Sequence, residues 1–379
     1  MVSSRLVFIL FPLILGANDS FEAYKKMQDN DFKREKVKFI DFKREEDAAF
    51  KSHLEKEKNA ILNYKRKVKT FWLESDLEDA KKLTNYSKDL HTKSLVDFEN
   101  NQIIISKISA KKRVTKEELL KELNHTLNLT TKQAYQQNIL EQNINYVIPD
   151  SKYIKKAKLD KGRLLHTGAQ EPALNSEDIS LSKKGDVYKL TYKFPKNSTY
   201  RRSFDYLPQA KSNATRFNLK ANLLLAIMHS ESSFNPLARS HIPAFGLMQI
   251  VPHSAGIDSY KFLYKKRRLL SASYLYNTKN NIEIGSAYFH ILYYKYLSSI
   301  KDPQSRLYCA IAGYNTGAGN VAWAFTHNKN VKKAAQIINK MSAQKVYRHL
   351  QKNLKYDEPK HYLKRVNERS IRYKELYRL

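Results

Sequence analysis

The chain has 379 residues, with 68 Lys and Arg against 37 Asp and Glu, a formal charge of +31. A hydrophobic content of 42% supports a sizeable core, and only ten Gly and ten Pro point away from a turn-dense all-β protein. The single cysteine, Cys309, excludes an intramolecular disulfide and a cysteine-held structural zinc site, while the basic excess calls for a polyanionic partner: nucleic acid, acidic lipid or an acidic polymer.

Arg5 precedes an apolar stretch from Leu6 to Leu15 that exits through Gly16 and Ala17. The run is shorter than the ~20 residues a bilayer span needs, and its charge–apolar–small order is that of a secretory signal covering residues 1–17. An exported, periplasmic protein is expected, with no nucleic-acid partner. No cysteine follows the apolar run, so no lipid attachment is expected there.

Residues 18–60 form a charged helical segment in which Asp31-Phe32-Lys33-Arg34-Glu35 recurs as Asp41-Phe42-Lys43-Arg44-Glu45. Ten residues are close to three helical turns, so the copies share a face of a solvated helix. Residues 61–200 read as a small α+β domain. Ser94–Phe98 and Gln102–Ser106 flank Glu99-Asn100-Asn101 as a hairpin. Thr115 starts a helix to Leu127 with Glu118 placed as in a capping box, and Val187–Phe194 alternates as a further strand. The polar stretch Lys196–Arg202 is taken as the connection between domains.

Residues 201–379 read as an all-α domain of short helices. Asn218 is expected to cap a helix running to about Ser232, which Asn235-Pro236 stops. Ile282–Leu297 is a long aromatic-rich helix, and shorter ones fit 304–313, 319–327, 331–341, 342–353 and 358–376. The overall class is therefore α+β, with a helical C-terminal domain. Charge is unevenly spread: from Arg201 onward there are 30 basic and only 9 acidic residues, a net of +21. The run Lys265-Lys266-Arg267-Arg268 concentrates it, and electrostatic contact with an anionic membrane or wall is expected.

Against that shortage of acid, Glu231 ends a helix whose preceding turns, Leu223 to Met228, are nearly all apolar. A carboxyl group there is partly desolvated, which raises its pKa and suits it to donate a proton near neutral pH. The competing reading of the residue alone is a structural glutamate paired with one of the many cations. His229 and Glu231, two apart, face different sides of the helix and make no metal pair, and His241 and His253 read as loop or surface residues. No metal or cofactor is expected.

Glu231-Ser232-Ser233-Phe234-Asn235-Pro236 is followed in order by Gly246-Leu247-Met248-Gln249, Ala312-Gly313-Tyr314-Asn315 and Glu358-Pro359-Lys360-His361-Tyr362. Over about residues 205–379 this resembles the lytic transglycosylases of bacterial peptidoglycan, which implies a lysozyme-like fold and glycan strands as partner. The stretch from Phe71 through the hairpin, including Lys82-Leu83-Thr84-Asn85-Tyr86, looks like the N-terminal domain of one subfamily. By the resemblance, Glu231 is the catalytic acid and Ser240 contacts the substrate's acetamido group. It likewise puts Met248 and Gln249 on the cleft lining, Tyr314 and Asn315 on its floor, and Tyr362 near the carboxylate. Glu358 opens the last motif and is read as a structural cap. Three departures stand out: Phe245 replaces a small or aliphatic residue and is expected to narrow or pave the cleft, Gly313 lengthens the Ala-Tyr-Asn run, and Pro359-Lys360 replaces a hydroxyl residue and an arginine.

Chemically, Gln249 and Asn315 each bring a donor and an acceptor, the pair an N-acetyl amide needs. Met248 taken singly reads as core, and as an adaptable wall by the resemblance. Three functions remain open on sequence: a transglycosylase that uses Glu231 alone to close a 1,6-anhydro ring, a hydrolytic muramidase, and a non-catalytic wall-binding protein.

Overall fold

The computed structural model describes residues 17–73, 79–110, 112–147, 154–155, 157–165, 176–240 and 243–379. The chain divides into two compact units, Met1–Glu55 and Lys56–Leu379. In the first, the described residues belong to helix α1 (Ala17–Lys69), where Met27, Val37 and Ile40 are exposed, as a solvated helix with a sparse apolar stripe requires. The expected signal segment falls outside the described residues except for Ala17, which opens α1. Among the described residues no helix is long and apolar enough to cross a membrane.

The second unit opens with the end of α1, whose Tyr64 and Val68 pack with Trp72, Tyr86, Leu90 and Leu140 in a small core of their own. Trp72 donates its indole N–H to the Leu90 carbonyl at 2.7 Å, so the buried polar edge of the ring is satisfied. An antiparallel sheet follows, in the order β1–β2–β3–β6–β5, from β1 (Lys82–Tyr86), β2 (Thr92–Asp97), β3 (Gln102–Ile108), β5 (Ile179–Lys184) and β6 (Val187–Lys193). The expected hairpin is β2–β3, with Asp97 opposite Gln102 and Asp97 accepting from the Glu99 and Asn100 amides at 3.1 and 2.9 Å. Ile103 and Ile105 face Tyr192 and Leu190 across the β3–β6 pair, and all four are fully buried. Each such aliphatic side chain contributes roughly 1.5–3 kcal/mol. The edge strands β1 and β5 were not among the expected elements.

Helices α2 (Lys116–Leu127), α3 (Thr131–Gln137) and α4 (Ile139–Val147) lie between β3 and the two-residue β4 (Ile154–Lys155). Thr115 caps α2 as expected, its hydroxyl accepting from the Glu118 amide. Thr130 and Gln133 cap α3 reciprocally.

Beyond the sheet come α5 (Ser198–Phe217), α6 (Ala221–Ser232), α7 (Ile257–Tyr264), α8 (Ala272–Leu275) and α9 (Thr278–Ile291), with a π-helical turn from Leu292 to Tyr296. Then follow α10 (Pro303–Thr316), α11 (Ala318–Thr326), α12 (Val331–Ile338), α13 (Ala343–Asn353) and α14 (Asp357–Tyr377). Among the described residues of this half, the one named strand is β7 (Leu269–Leu270), which pairs in parallel with β4.

Two local expectations are corrected. The polar stretch Lys196–Arg202 is not an open connection: α5 starts at Ser198, and Ser198, Thr199 and Arg202 are buried. They are polar because Arg202 donates to the Phe98 carbonyl at 2.6 Å and to Asn101 at 3.0 Å, which ties α5 to the hairpin turn. One continuous core runs from the sheet into the helices. Asn218 does not start α6. It ends α5 in the left-handed conformation (φ 52°), the other helix terminus at which asparagine is favoured, and Lys220 precedes α6.

Candidate active site

Glu231 occupies the last turn of α6, a helix in which it alone among residues 221–232 is not fully buried. The chain then reverses sharply: Ser233 and Phe234 are both left-handed (φ 50° and 65°) and both buried. Consecutive non-glycine residues in that region carry strain, which packed surroundings must hold in place. Asn235 Oδ1 accepts from the Leu237 amide at 3.0 Å, and Ser232 Oγ donates to the Leu247 carbonyl at 2.9 Å. The second bond joins the acid's own turn to the loop carrying the second motif.

That loop is stitched from behind by Asn281 of α9, which is fully buried. Its Oδ1 accepts from the Met248 amide at 2.8 Å, and its Nδ2 donates to the Phe245 and Leu275 carbonyls at 2.8 and 2.7 Å. Gly246 (φ 75°) is required there: a Cβ would lie 2.3 Å from Asn281 Nδ2 and from the Leu275 carbonyl. Gln249, also left-handed (φ 47°), turns its amide nitrogen inward onto the Ala238 and Gly246 carbonyls at 3.1 and 3.0 Å. The expected donor is thereby used within the protein, and Gln249 keeps only its carbonyl oxygen as a ligand acceptor.

Met248 requires a correction. Its side chain is fully buried against α9, where a Cβ on Gly285 would meet its sulfur at 2.5 Å. It is packed into the interior and presents no wall to a sugar. Phe245 likewise does not pave the cleft: it is buried below the Arg239 guanidinium, 5.4 Å from ring centroid to the charged carbon.

From α10, Tyr314 is buried and donates its hydroxyl to the Met248 carbonyl at 2.8 Å, bracing the loop. Asn315, one residue on, is half-buried and makes no hydrogen bond to the described residues, so both halves of its amide are available. From α14, Tyr362 is fully buried, and the polar group its hydroxyl addresses is Glu231. Ser240 sits half-buried on the loop, with its hydroxyl accepting from the Ala244 amide at 3.2 Å.

These surroundings decide the ionisation of Glu231. Burial pushes its carboxyl up to about 8; the Tyr362 hydroxyl opposes the rise, the Glu358 charge adds to it, and Arg365 and Lys81 pull it down. Glu231 forms no ion pair with the described residues, despite the cation excess. Glu358, in the first turn of α14, is mostly exposed and pairs with Arg365 at 3.4 Å. Behind the acid, His229 points away into the core, 3.0 Å from the Tyr373 hydroxyl, and burial with nearby Arg369 and Arg202 keeps it neutral. His253 is exposed, and His241 lies outside the described residues. Among the described residues no three His, Cys, Asp or Glu side chains converge as a metal site.

The structure thus brings Glu231, Tyr314 and Tyr362 within electrostatic reach of one another, and Tyr314 joins them to the loop that carries Gln249. Ser232 and Asn281 are the stitches sequence reasoning missed. A serine and an asparagine in apolar helix turns were the available signal.

Residues 208–337 match the family described as the transglycosylase SLT domain. The chain is similar to membrane-bound lytic murein transglycosylase C of Photorhabdus laumondii subsp. laumondii, at 42% identity over 181 residues, covering 48% of this chain and 50% of that protein. It is similar to the protein of that name from Yersinia pestis, at 42% over 185 residues, covering 49% and 51%. The chain thus aligns with about half the length of these curated relatives. Among solved structures, the lytic transglycosylase Slt of Pseudomonas aeruginosa aligns with a TM-score of 0.37 at 22% identity, over 47% of this chain and 25% of that one. The 70 kDa soluble lytic transglycosylase of Escherichia coli gives 0.35 at 21%, over 48% and 27%. Residues 208–337 thus match the transglycosylase SLT domain, and about half of the chain is similar to proteins named membrane-bound lytic murein transglycosylase C.

Proposed function

We propose that the protein is a lytic transglycosylase of peptidoglycan, cleaving the β-1,4 bond between N-acetylmuramic acid and N-acetylglucosamine without water. The observation that carries this reading is a solitary acid: Glu231 has a carboxyl raised to about 8 and no ion pair among the described residues. The acid whose charge reaches it, Glu358, is exposed and paired with Arg365. Hydrolytic glycosidases generally place two carboxyl groups across the scissile bond.

With one carboxyl, Glu231 enters protonated and gives its proton to the glycosidic oxygen as the bond to the anomeric carbon breaks. The substrate's acetamido oxygen supports the cationic centre, with its N–H directed to the free carbonyl of Gln249. Asn315, which has a donor and an acceptor to offer, binds a neighbouring sugar amide. Ionised Glu231 then takes the proton of the muramic acid 6-hydroxyl, whose oxygen closes onto the anomeric carbon. The acid is regenerated, and the product ends in a 1,6-anhydro sugar. Tyr362 stabilises the ionised form in the middle of this cycle. The periplasm is the compartment this substrate implies, and the Lys265–Arg268 run adds attraction to stem-peptide carboxylates.

Mass analysis of muropeptides released from purified sacculi tests the reading. Ends lighter by one water than reducing ends are expected, with no oxygen incorporated from labelled water. Glu231→Gln should lower turnover by at least the ~10²–10⁴-fold attributable to general acid catalysis. A majority of reducing muramic acid ends would make the enzyme a hydrolytic muramidase, and full activity in Glu231→Gln would remove the acid's role.

A further inference from the structure

A second charged cluster is centred on Arg239, which is bridged to Phe245 at the start of the loop that carries the second motif. Arg239 is 4% exposed, a degree of burial that arginine tolerates only when its charge is matched. One guanidinium nitrogen donates to Glu141 Oε1 of α4 at 2.5 Å, and another donates to Glu57 Oε1 of α1. The two acids are as buried as the arginine. The Tyr276 hydroxyl donates to the same Glu141 oxygen at 2.8 Å, and the guanidinium lies over Phe245, whose ring meets Tyr276 edge-on at 5.6 Å. A planar fork of five donors is the group suited to holding two carboxylates at once.

The place of Arg239 in the chain gives this cluster its meaning. Its predecessor Ala238 offers the carbonyl that receives both the Gln249 amide nitrogen and the Gly246 amide, at 3.1 and 2.8 Å. Its successor is Ser240, and Arg239 itself bridges Phe245 across the neck of the loop. The residues expected to meet the acetamido group therefore hang from a backbone whose one buried charge is gripped from outside the SLT domain.

We propose that Arg239 is a positioning residue for the cleft loop, and that Glu57 and Glu141 hold it so that the end of α1 and α4 set the placement of Ser240 and Gln249. The sugar-binding part of this inference rests on the function proposed above; the loop-ordering part does not. The full-length chain is needed, because one of the two acids lies in the first helix.

Glu57→Gln and Glu141→Gln are to be made in the full chain, with Glu118→Gln, which loses only the Lys107 and Lys112 pairs on α2, as control. Hydrogen exchange over residues 238–250 should quicken by about tenfold or more in the first two, as local opening becomes easier, while exchange in α10 stays unchanged. In a Glu231→Gln background, affinity for a tetramer of β-1,4-linked N-acetylglucosamine should fall by about tenfold, and with Glu231 intact KM should rise while kcat holds within about twofold. If the glutamine variants do not fold, Arg239→Lys keeps the charge but loses the fork that engages both acids, and the same readouts apply. Unchanged exchange across the loop in folded variants overturns the proposal, as does unchanged tetramer affinity alongside a lower melting temperature. If the parent binds no tetramer while the variants still loosen the loop, the functional reading fails and the positioning role stands.

Discussion

Replacing Glu231 by glutamine should do more than stop turnover: it should change how the stability of the protein depends on pH. The carboxyl moves from an ordinary 4.5 to about 8 on folding, with burial as the main cause. An acid whose pKa is raised in the folded state binds its proton more tightly there. Its favourable contribution is complete below the unfolded value and is lost as pH climbs through the folded one. At ~1.36 kcal/mol per unit, ionising Glu231 costs the wild-type protein up to ~4 kcal/mol between pH 5 and pH 9. Partial access of the residue to water trims the expected loss to about 2–4 kcal/mol. Glutamine carries no charge at either pH, so this loss disappears in Glu231→Gln. Urea unfolding of both proteins at pH 5, 7 and 9 measures it directly, with the linear-extrapolation slope checked for constancy. The variant should match or slightly trail the parent at pH 5 and exceed it at pH 9. The parent's activity should fall about tenfold per unit above pH 8, because only the protonated acid can start the reaction. A stability difference that stays constant from pH 5 to pH 9 would show that Glu231 is already ionised at neutrality, and the single-acid mechanism would lose its first step.

Three other substitutions probe the polar groups and the packing around the site. Asn315→Leu removes an amide that bonds to no described residue, so the melting temperature should hold within about 2 °C, while kcat/KM on soluble glycan fragments should fall about 5–100-fold, the worth of one or two hydrogen bonds to ligand; parent-like kinetics would take Asn315 out of the site. Gly285→Ala drives a methyl to 2.5 Å from the Met248 sulfur and should cost about 1–3 kcal/mol in urea unfolding. Gly319→Ala, at a half-buried position of α11 where the methyl's nearest neighbour is the flexible Lys329 side chain at 3.4 Å, should instead gain about 0.5–1 kcal/mol. Equal effects at both positions would mean that Met248 is not packed as described.

Much of this molecule is written in short-range pattern. The β2–β3 hairpin follows from two alternating runs about a polar turn, and α2 starts at Thr115 because a hydroxyl three residues ahead of a free amide closes a local bond. Glu231 was conspicuous because the last 179 residues hold 9 acids and only this one ends an apolar helix. Each signal involves groups a few residues apart, and the chain carries them wherever it folds.

What the sequence left open depended on partners far along the chain. Asn218 can cap either end of a helix, and the packing of α5 and α6 decided which. The donor of Gln249 was expected in the cleft, but the left-handed turn at that residue delivers it to Ala238 and Gly246. Met248 was offered as a wall, and Gly285, 37 positions later, leaves the notch that swallows it. The matched burial of Arg239 with Glu57 and Glu141 spans separations of 182 and 98 residues. No periodicity could register that contact, because a charge pair has no pattern until the fold brings both members out of water together. Sequence alone determined the β2–β3 hairpin and most of the C-terminal helices and singled out Glu231; the tertiary structure decided which polar groups were consumed within the protein and which were left for a ligand, since that outcome depends on who is within three ångströms of whom.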